Sequence, residues 1–227
     1  MSFLSRFDAV VFDLNGTLAE DFDRFGDEQD YHATYTRLGG STLDPETLRC
    51  IVEESLRRCL TKYEHGPWDP FPEFREFLSL EDPRERLLVE DVIAEHELGV
   101  VPHRRLDWLV QLSRTHRLGL ITDVWAPSRR LLAYLRGVGL DELLGAIVIS
   151  SDEGAVKPSR RLFDTALDRL ECPASRAVFV GDNLSRDVGG AQACGIATVW
   201  IADPDRVTEV PRPNRMVSAV EELSSLD

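Results

Sequence analysis

The sequence predicts an α/β fold, in which a parallel sheet carries helices on both faces and a small all-helical domain is attached. Three observations predict it. Five short apolar runs, around residues 8–14, 118–122, 146–149, 177–180 and 197–201, read as strands buried on both faces. From about residue 103 these runs alternate with helical patterns, the rhythm of strand–helix–strand units in a parallel sheet. From about residue 20 to 100 helical spacing dominates and strand patterning is scarce.

The first strand is the run Asp8-Ala9-Val10-Val11-Phe12-Asp13-Leu14, broken by the turn-forming Asn15-Gly16-Thr17. Helices follow over about 27–38, from Pro45 to His65, and over about 72–79 and 84–97. Asp44 suits the N-cap of the second and Pro45 its first position, while Leu48, Val52, Leu56, Leu60 and Tyr63 recur at helical spacing until His65-Gly66-Pro67 stops it. Beyond residue 100, Leu106, Leu109 and Val110 mark a helix, as do Leu131, Leu132 and Leu135. Leu162, Phe163, Ala166, Leu167 and Leu170 mark another, and residues 188–194 a short one closed by Gly195. Residues 203–214 carry three prolines and read as a surface loop. The expected division is residues 1–19 with 100–227 as a Rossmann-like core and 20–99 as the helical domain.

Bulk properties narrow the function. The chain has 227 residues and a net charge of −14, so a polyanionic nucleic-acid partner is not expected. No apolar run approaches the roughly 20 residues of a membrane span. The N-terminus lacks the basic and apolar regions of a signal peptide, and a cytoplasmic location is expected. The four cysteines show no zinc-type spacing. Cys50 and Cys59 fall on opposite faces of one predicted helix, since nine residues turn about 900°. All four are read as reduced. The five histidines show no ligand spacing, and the sequence sets no oligomeric state.

Parallel sheets bind ligands beyond the carboxyl ends of their strands. Here those ends carry Asp13; Thr122 and Asp123; Lys157-Pro158 after the third strand; and Gly181-Asp182 with Asp187 beyond. Each residue alone has an ordinary structural use, but together they converge on one sheet edge. Clustered carboxylates suit Mg²⁺. A carboxylate can attack phosphorus. A lysine, a threonine hydroxyl and a metal can hold and neutralise a transferring phosphoryl group.

The constellation resembles the haloacid dehalogenase superfamily. Its D-x-D-G-T motif is matched by Asp13-Leu14-Asn15-Gly16-Thr17, except at the third position. Its strand ending in Thr or Ser is matched by Ile121-Thr122, its Lys-Pro by Lys157-Pro158, and its G-D-x-x-x-x-D by Gly181 to Asp187. The resemblance implies a hydrolase of the phosphatase type with Asp13 as nucleophile. It implies Mg²⁺ held by Asp13, Asp182 and the backbone carbonyl of Asn15, with Asp187 in support. Thr122 and Lys157, with Asp123 beside them, would bind the phosphoryl group of a small phosphorylated substrate. Residues 20–99 fall where this superfamily places a cap, which selects the leaving group.

Asn15 departs from the pattern. Phosphatases of the superfamily carry there an Asp that protonates the leaving group and then activates water. An amide cannot exchange that proton. Loss of a positioned acid/base costs about 10²–10⁴ in rate, so slow turnover is one expectation, with Asp123 or Glu20 as substitutes. A phosphoryl-binding protein without turnover is a second reading, and a metal-independent dehalogenase a third. Arg24, Arg57, Arg58, Lys62, Trp125 and Arg186 are candidates to face the substrate.

Overall fold

Apolar side chains at every position of Ala9–Phe12 suit a strand covered on both faces, and all four residues of this β1 are buried. The structure, a computed structural model, describes residues 2–202 and 211–226. The sheet adds β2 (Arg117–Thr122), β3 (Leu144–Ile149), β4 (Ala177–Gly181), β5 (Ala197–Ile201) and β6 (Arg215–Val217). Its order is β3-β2-β1-β4-β5-β6, with every pairing parallel. Strand order reverses at β1, between β2 and β4, and open α/β sheets hold ligands at such a point. Phe12 stands opposite Leu120 on one side and Val180 on the other. The residues that follow these positions therefore leave the sheet at one edge.

The helices outside the insert are α4 (His103–Leu112), α5 (Arg129–Gly137), α6 (Ser150–Glu153), α7 (Arg160–Arg169) and α8 (Gly190–Ala193), numbered after the three described next. Strand side chains alternate between two apolar layers. Val10, Phe12, Leu118 and Leu120 pack with Leu109 of α4 and Leu131 and Leu135 of α5. Val11, Ile121, Val148 and Phe179 pack on the opposite face with Leu162 and Phe163 of α7.

Residues between β1 and β2 contribute α1 (Tyr31–Arg37), α2 (Pro45–His65) and α3 (Pro83–Glu97). They share a third apolar cluster that includes Tyr35, Leu48, Val52, Val89 and Ile93, with Ala126 joining from the segment after β2. Asp44 caps α2, accepting from the backbone N–H groups of Glu46 and Thr47, with Pro45 in the first turn. Where the chain leaves and rejoins the sheet region, Glu20 and Val100 pair antiparallel, their N–H groups donating at 2.9 and 2.7 Å to each other's carbonyls.

Several elements differ from their expected form. The helix predicted over 27–38 is only Tyr31–Arg37, begun by the Asp30 cap. The one predicted over 72–79 is a single 3₁₀ turn, Phe74–Glu76. Its apolar spacing serves to bury Phe74, Phe77 and Leu78, and so short a segment gains little from helical hydrogen bonds. Around residues 184–193 a π-helical turn, Leu184–Gly189, precedes α8. β6 is too short to leave a periodic signal. Leu60, expected on the apolar stripe of α2, is 39% exposed. Most of the loop expected over 203–214 lies outside the described residues.

Gly190 lies against Phe163, and a β-carbon there would meet its ring at 2.7 Å and the Pro158 backbone at 3.1 Å. Alanine gains up to about 1 kcal/mol in helix propensity over glycine, but overpacking costs about 1–3 kcal/mol. Gly190→Ala should therefore lower the urea midpoint. Combined with Phe163→Leu it should cost less than the two single changes added.

Candidate active site

Asp13 follows β1 directly, and its N–H donates to the Val180 carbonyl at 2.9 Å, which fixes it at the sheet edge. The next turn doubles back tightly, with the N–H groups of Thr17, Leu18 and Ala19 all donating to the Leu14 carbonyl. Gly16 has φ +80°, and a β-carbon there would overlap the carboxylate of Asp182. Glycine thus lets the loop after β1 touch the residue after β4.

Lys157 arrives from the loop between α6 and α7. Its buried ammonium donates to Asp13 Oδ1 at 2.6 Å and to Asp187 Oδ1 at 2.7 Å. Asp187 sits in the π-helical turn, and its other oxygen accepts from Asn183 N–H at 2.9 Å. The wider turn returns this carboxylate beneath the end of β4, a use consistent with π-bulges at functional sites. Asp182 is oriented from its main chain, where Trp200 Nε1 donates to its carbonyl at 2.8 Å.

Oxygens of Asp13, Asp182 and Asp187 lie within 4.8 Å of one another. Burial raises the Asp13 carboxyl to about 8; the Lys157 charge opposes this, and Asp187 and Asp182 reinforce it. Burial and then Asp187 raise Asp182. Burial opposes the charge on Lys157, but Asp13, Asp187 and Asp123 outweigh it and hold its pKa above the ordinary value. One ammonium cannot balance three carboxylates. Hard oxygen donors with surplus negative charge fit a magnesium-like cation.

Five buried side-chain atoms lack a hydrogen-bond partner among the described residues, three of them in the loop after β1 and at the end of β2. These three are Thr122 Oγ1 at the end of β2, Thr17 Oγ1 and Asn15 Oδ1. Buried polar atoms normally have partners, so such atoms beside a carboxylate cluster suit a ligand. The amide nitrogen of Asn15 donates to the Glu97 carbonyl at 3.3 Å.

A cavity of about 540 Å³ is lined among others by Asp13, Asn15, Lys157, Asp182 and Asp187, whereas Thr17 lines a separate groove with Glu20, Arg104 and Arg105. The insert closes the other side of the cavity with Phe22, Asp23, Leu60, Tyr63, Trp68 and Glu97. Asp123 does line it, but both of its oxygens accept protein donors. Lys157 N–H donates to one at 3.0 Å and Tyr63 O–H to the other. Arg186 also lines it and stacks 4.3 Å from the Tyr63 ring centre. Trp125 lines it and stacks on Phe25.

Other sequence candidates lie elsewhere. Arg24 donates to the carbonyls of Leu98 and Glu95 at the end of α3, Arg57 to Glu54, Arg58 to the Phe77 carbonyl, and Lys62 to the Gly66 carbonyl. Glu20 pairs with Arg104 and Arg105, facing away from this cavity. Sequence reasoning missed Asp23, Tyr63 and Glu97. Tyr63 was legible only as an apolar position of α2, and the other two belong to no strand end.

Comparison with known proteins follows the same lines. A family model described as haloacid dehalogenase-like hydrolase matches residues 10–201. The pyrimidine 5'-nucleotidase YjjG of Escherichia coli is 32% identical over 112 residues, 48% of this chain and 49% of that protein. A glyceraldehyde 3-phosphate phosphatase of Methanopyrus kandleri is 29% identical over 165 residues, 63% of this chain and 68% of that protein. Among solved structures, a HAD phosphatase from Thermococcus onnurineus superposes with a TM-score of 0.62 at 25% identity, covering 96% of each chain. The E. coli match thus spans about half of that relative's length. With the family model spanning most of its length, the chain belongs to the haloacid dehalogenase-like hydrolases.

Proposed function

We propose that this chain is a Mg²⁺-dependent phosphatase of small phosphorylated metabolites, acting in the cytoplasm, with Asp13 as nucleophile. The observation that supports this most is the buried Asp13–Lys157–Asp187 cluster at the switch point of the sheet, beside the unpartnered hydroxyl of Thr122. In this reading residues 1–19 and 100–227 form the core and 20–99 the cap.

Asp13, Asp182 and the Asn15 carbonyl would hold Mg²⁺, with Asp187 in support. The ion would neutralise charge on the phosphoryl oxygens. Lys157 orients Asp13 and offers positive charge to the same oxygens. Thr122 Oγ1 has its donor free for one of them. Asp13 attacks phosphorus, the bond to the leaving oxygen breaks, and the aspartyl phosphate is then hydrolysed by water. Asp123 holds the Lys157 backbone and Tyr63, so its part is to set the cleft.

The cavity walls suggest the leaving group. Tyr63, Trp68 and Trp125 offer aromatic faces, while Asp23, Glu64 and Glu97 contribute acidic groups and no cation. Arg186 is stacked on Tyr63. We propose a flat or apolar alcohol without a second anionic group. The names of the relatives support a phosphate ester and leave its identity open. A non-hydrolysing phosphoryl binder is the second reading, which Asn15 favours.

Purified protein on a panel of phosphate monoesters should release phosphate with Mg²⁺. Chelator, or Asp13→Asn, should abolish that release; release surviving both would sink the reading. Thr122→Val should leave folding stability within about 1 kcal/mol of wild type, because the hydroxyl lost has no partner. The same variant should lose about tenfold or more in kcat/KM, as expected for a hydrogen bond to a charged group.

A further inference from the structure

Position 15 lacks a carboxyl, but a residue of the insert that carries one shares a hydrogen-bond acceptor with it. The N–H of Asp23 donates to the Glu97 carbonyl at 3.2 Å, the same oxygen that accepts the Asn15 amide at 3.3 Å. Asp23 is therefore two hydrogen bonds away from Asn15. The segment is held firmly: Arg24 N–H donates to the His96 carbonyl at 2.8 Å, and its guanidinium to the Leu98 and Glu95 carbonyls. Asp23 has φ +50°, a left-handed conformation that non-glycine residues seldom adopt and that gathers at functional sites.

Asp23 lines the cavity together with Asp13 and Asp182. Its carboxylate accepts no hydrogen bond among the described residues. Asp23 is exposed to the solvent of the open cleft, yet partial desolvation on its cleft side raises its carboxyl to about 6, opposed by Arg186 of the π-helical turn and reinforced by Asp182; the Glu97 carboxyl also faces it. The other carboxylates near the cleft are engaged or remote. Those of Asp123 accept Tyr63 and Lys157, and those of Glu97 accept the N–H groups of Trp125 and Ala126. Glu20 is ion-paired outside the cavity, and Glu64, exposed like Asp23, has no hydrogen bond to Asn15 or to Glu97 among the described residues.

We propose that Asp23 is the catalytic acid/base of this site, supplying from the insert the carboxyl that Asn15 lacks. As Asp13 bonds to phosphorus and the bond to the leaving oxygen breaks, the Asp23 carboxylic acid gives its proton to that oxygen. The resulting carboxylate then takes a proton from a water molecule, whose oxygen attacks phosphorus. The bond to Asp13 breaks, phosphate leaves, and both carboxyls return to their starting states. This rests on the phosphatase reading above.

The test compares wild type, Asp13→Asn, Asp23→Asn, Asn15→Asp and the double variant Asn15→Asp/Asp23→Asn. Substrates are an alkyl phosphate from the active panel and p-nitrophenyl phosphate, with Mg²⁺. Asparagine tolerates the left-handed backbone, so Asp23→Asn preserves the turn. Asp23→Asn should lower kcat on the alkyl ester by about 10²–10⁴ with KM little changed. On p-nitrophenyl phosphate, whose leaving group needs no acid, it should release one equivalent of p-nitrophenolate in a burst and then stall as phosphoenzyme. Asn15→Asp alone should bring no rise of orders of magnitude in kcat, because the acid is already supplied, and in the double variant it should restore turnover that Asp23→Asn loses. Near-wild-type turnover by Asp23→Asn, with Asp13→Asn inactive, would overturn the role of Asp23 and leave the phosphatase reading intact. A rise of orders of magnitude in Asn15→Asp alone would do the same. No turnover by wild type or by Asn15→Asp would overturn both.

Discussion

The bond network on which the site depends is the one Lys157 makes with Asp13 and Asp187. Three charges are buried together at the edge of a parallel sheet, 2.6 and 2.7 Å apart through one ammonium. Removing either partner from a buried pair leaves an uncompensated charge and costs about 3–5 kcal/mol. Every nearby irregularity serves this arrangement. The π-helical turn returns Asp187 beneath β4, the loop after α6 brings Lys157 in, and the glycine at position 16 admits Asp182. Replacing a buried ionic cluster with apolar residues is often neutral or stabilising, so stability alone does not account for its form.

The insert reaches this cluster through side chains. Tyr63 donates to Asp123, whose other oxygen accepts the Lys157 backbone, so α2 is linked to the lysine through one carboxylate. A second link runs from the end of α3: Glu97 accepts Trp125 and Ala126 N–H groups with its side chain and Asn15 with its carbonyl. Burial raises the Glu97 carboxyl to about 8. The insert thus touches both Asn15 and the segment after β2, and any displacement of it would alter the cleft where those two meet.

The legible part of the site follows from the sheet. Asp13, Thr122 and Asp182 follow apolar strands, and parallel strands deliver such residues to one edge whatever the loops do. Lys157 and Asp187 were legible by their distance from those strands. The helix through residues 45–65 was legible from its cap and period, and Cys50 exposed with Cys59 buried matches the half-turn expected between them. Asp23 was not legible. It sits in no periodic element, and it reaches the cleft because a left-handed backbone and the carbonyls ending α3 hold it there. Likewise, the residues after Pro72 carry helical spacing but use it to bury three side chains from a single turn.

Asn15 can be understood as a donor. Its amide nitrogen binds the Glu97 carbonyl, an oxygen that also accepts the Asp23 N–H. An ionised aspartate has no proton to give and would set its negative charge against that carbonyl. The amide therefore ties the loop after β1 to the end of α3, a contact the ionised acid could not make. The same carbonyl positions Asp23, so one backbone oxygen joins the residue that lacks a carboxyl to one that carries it. A chain that moved its acid from the sheet edge to the insert would place proton transfer under the control of the insert. Chemistry would then proceed only while α3 remains docked against the loop that follows β1.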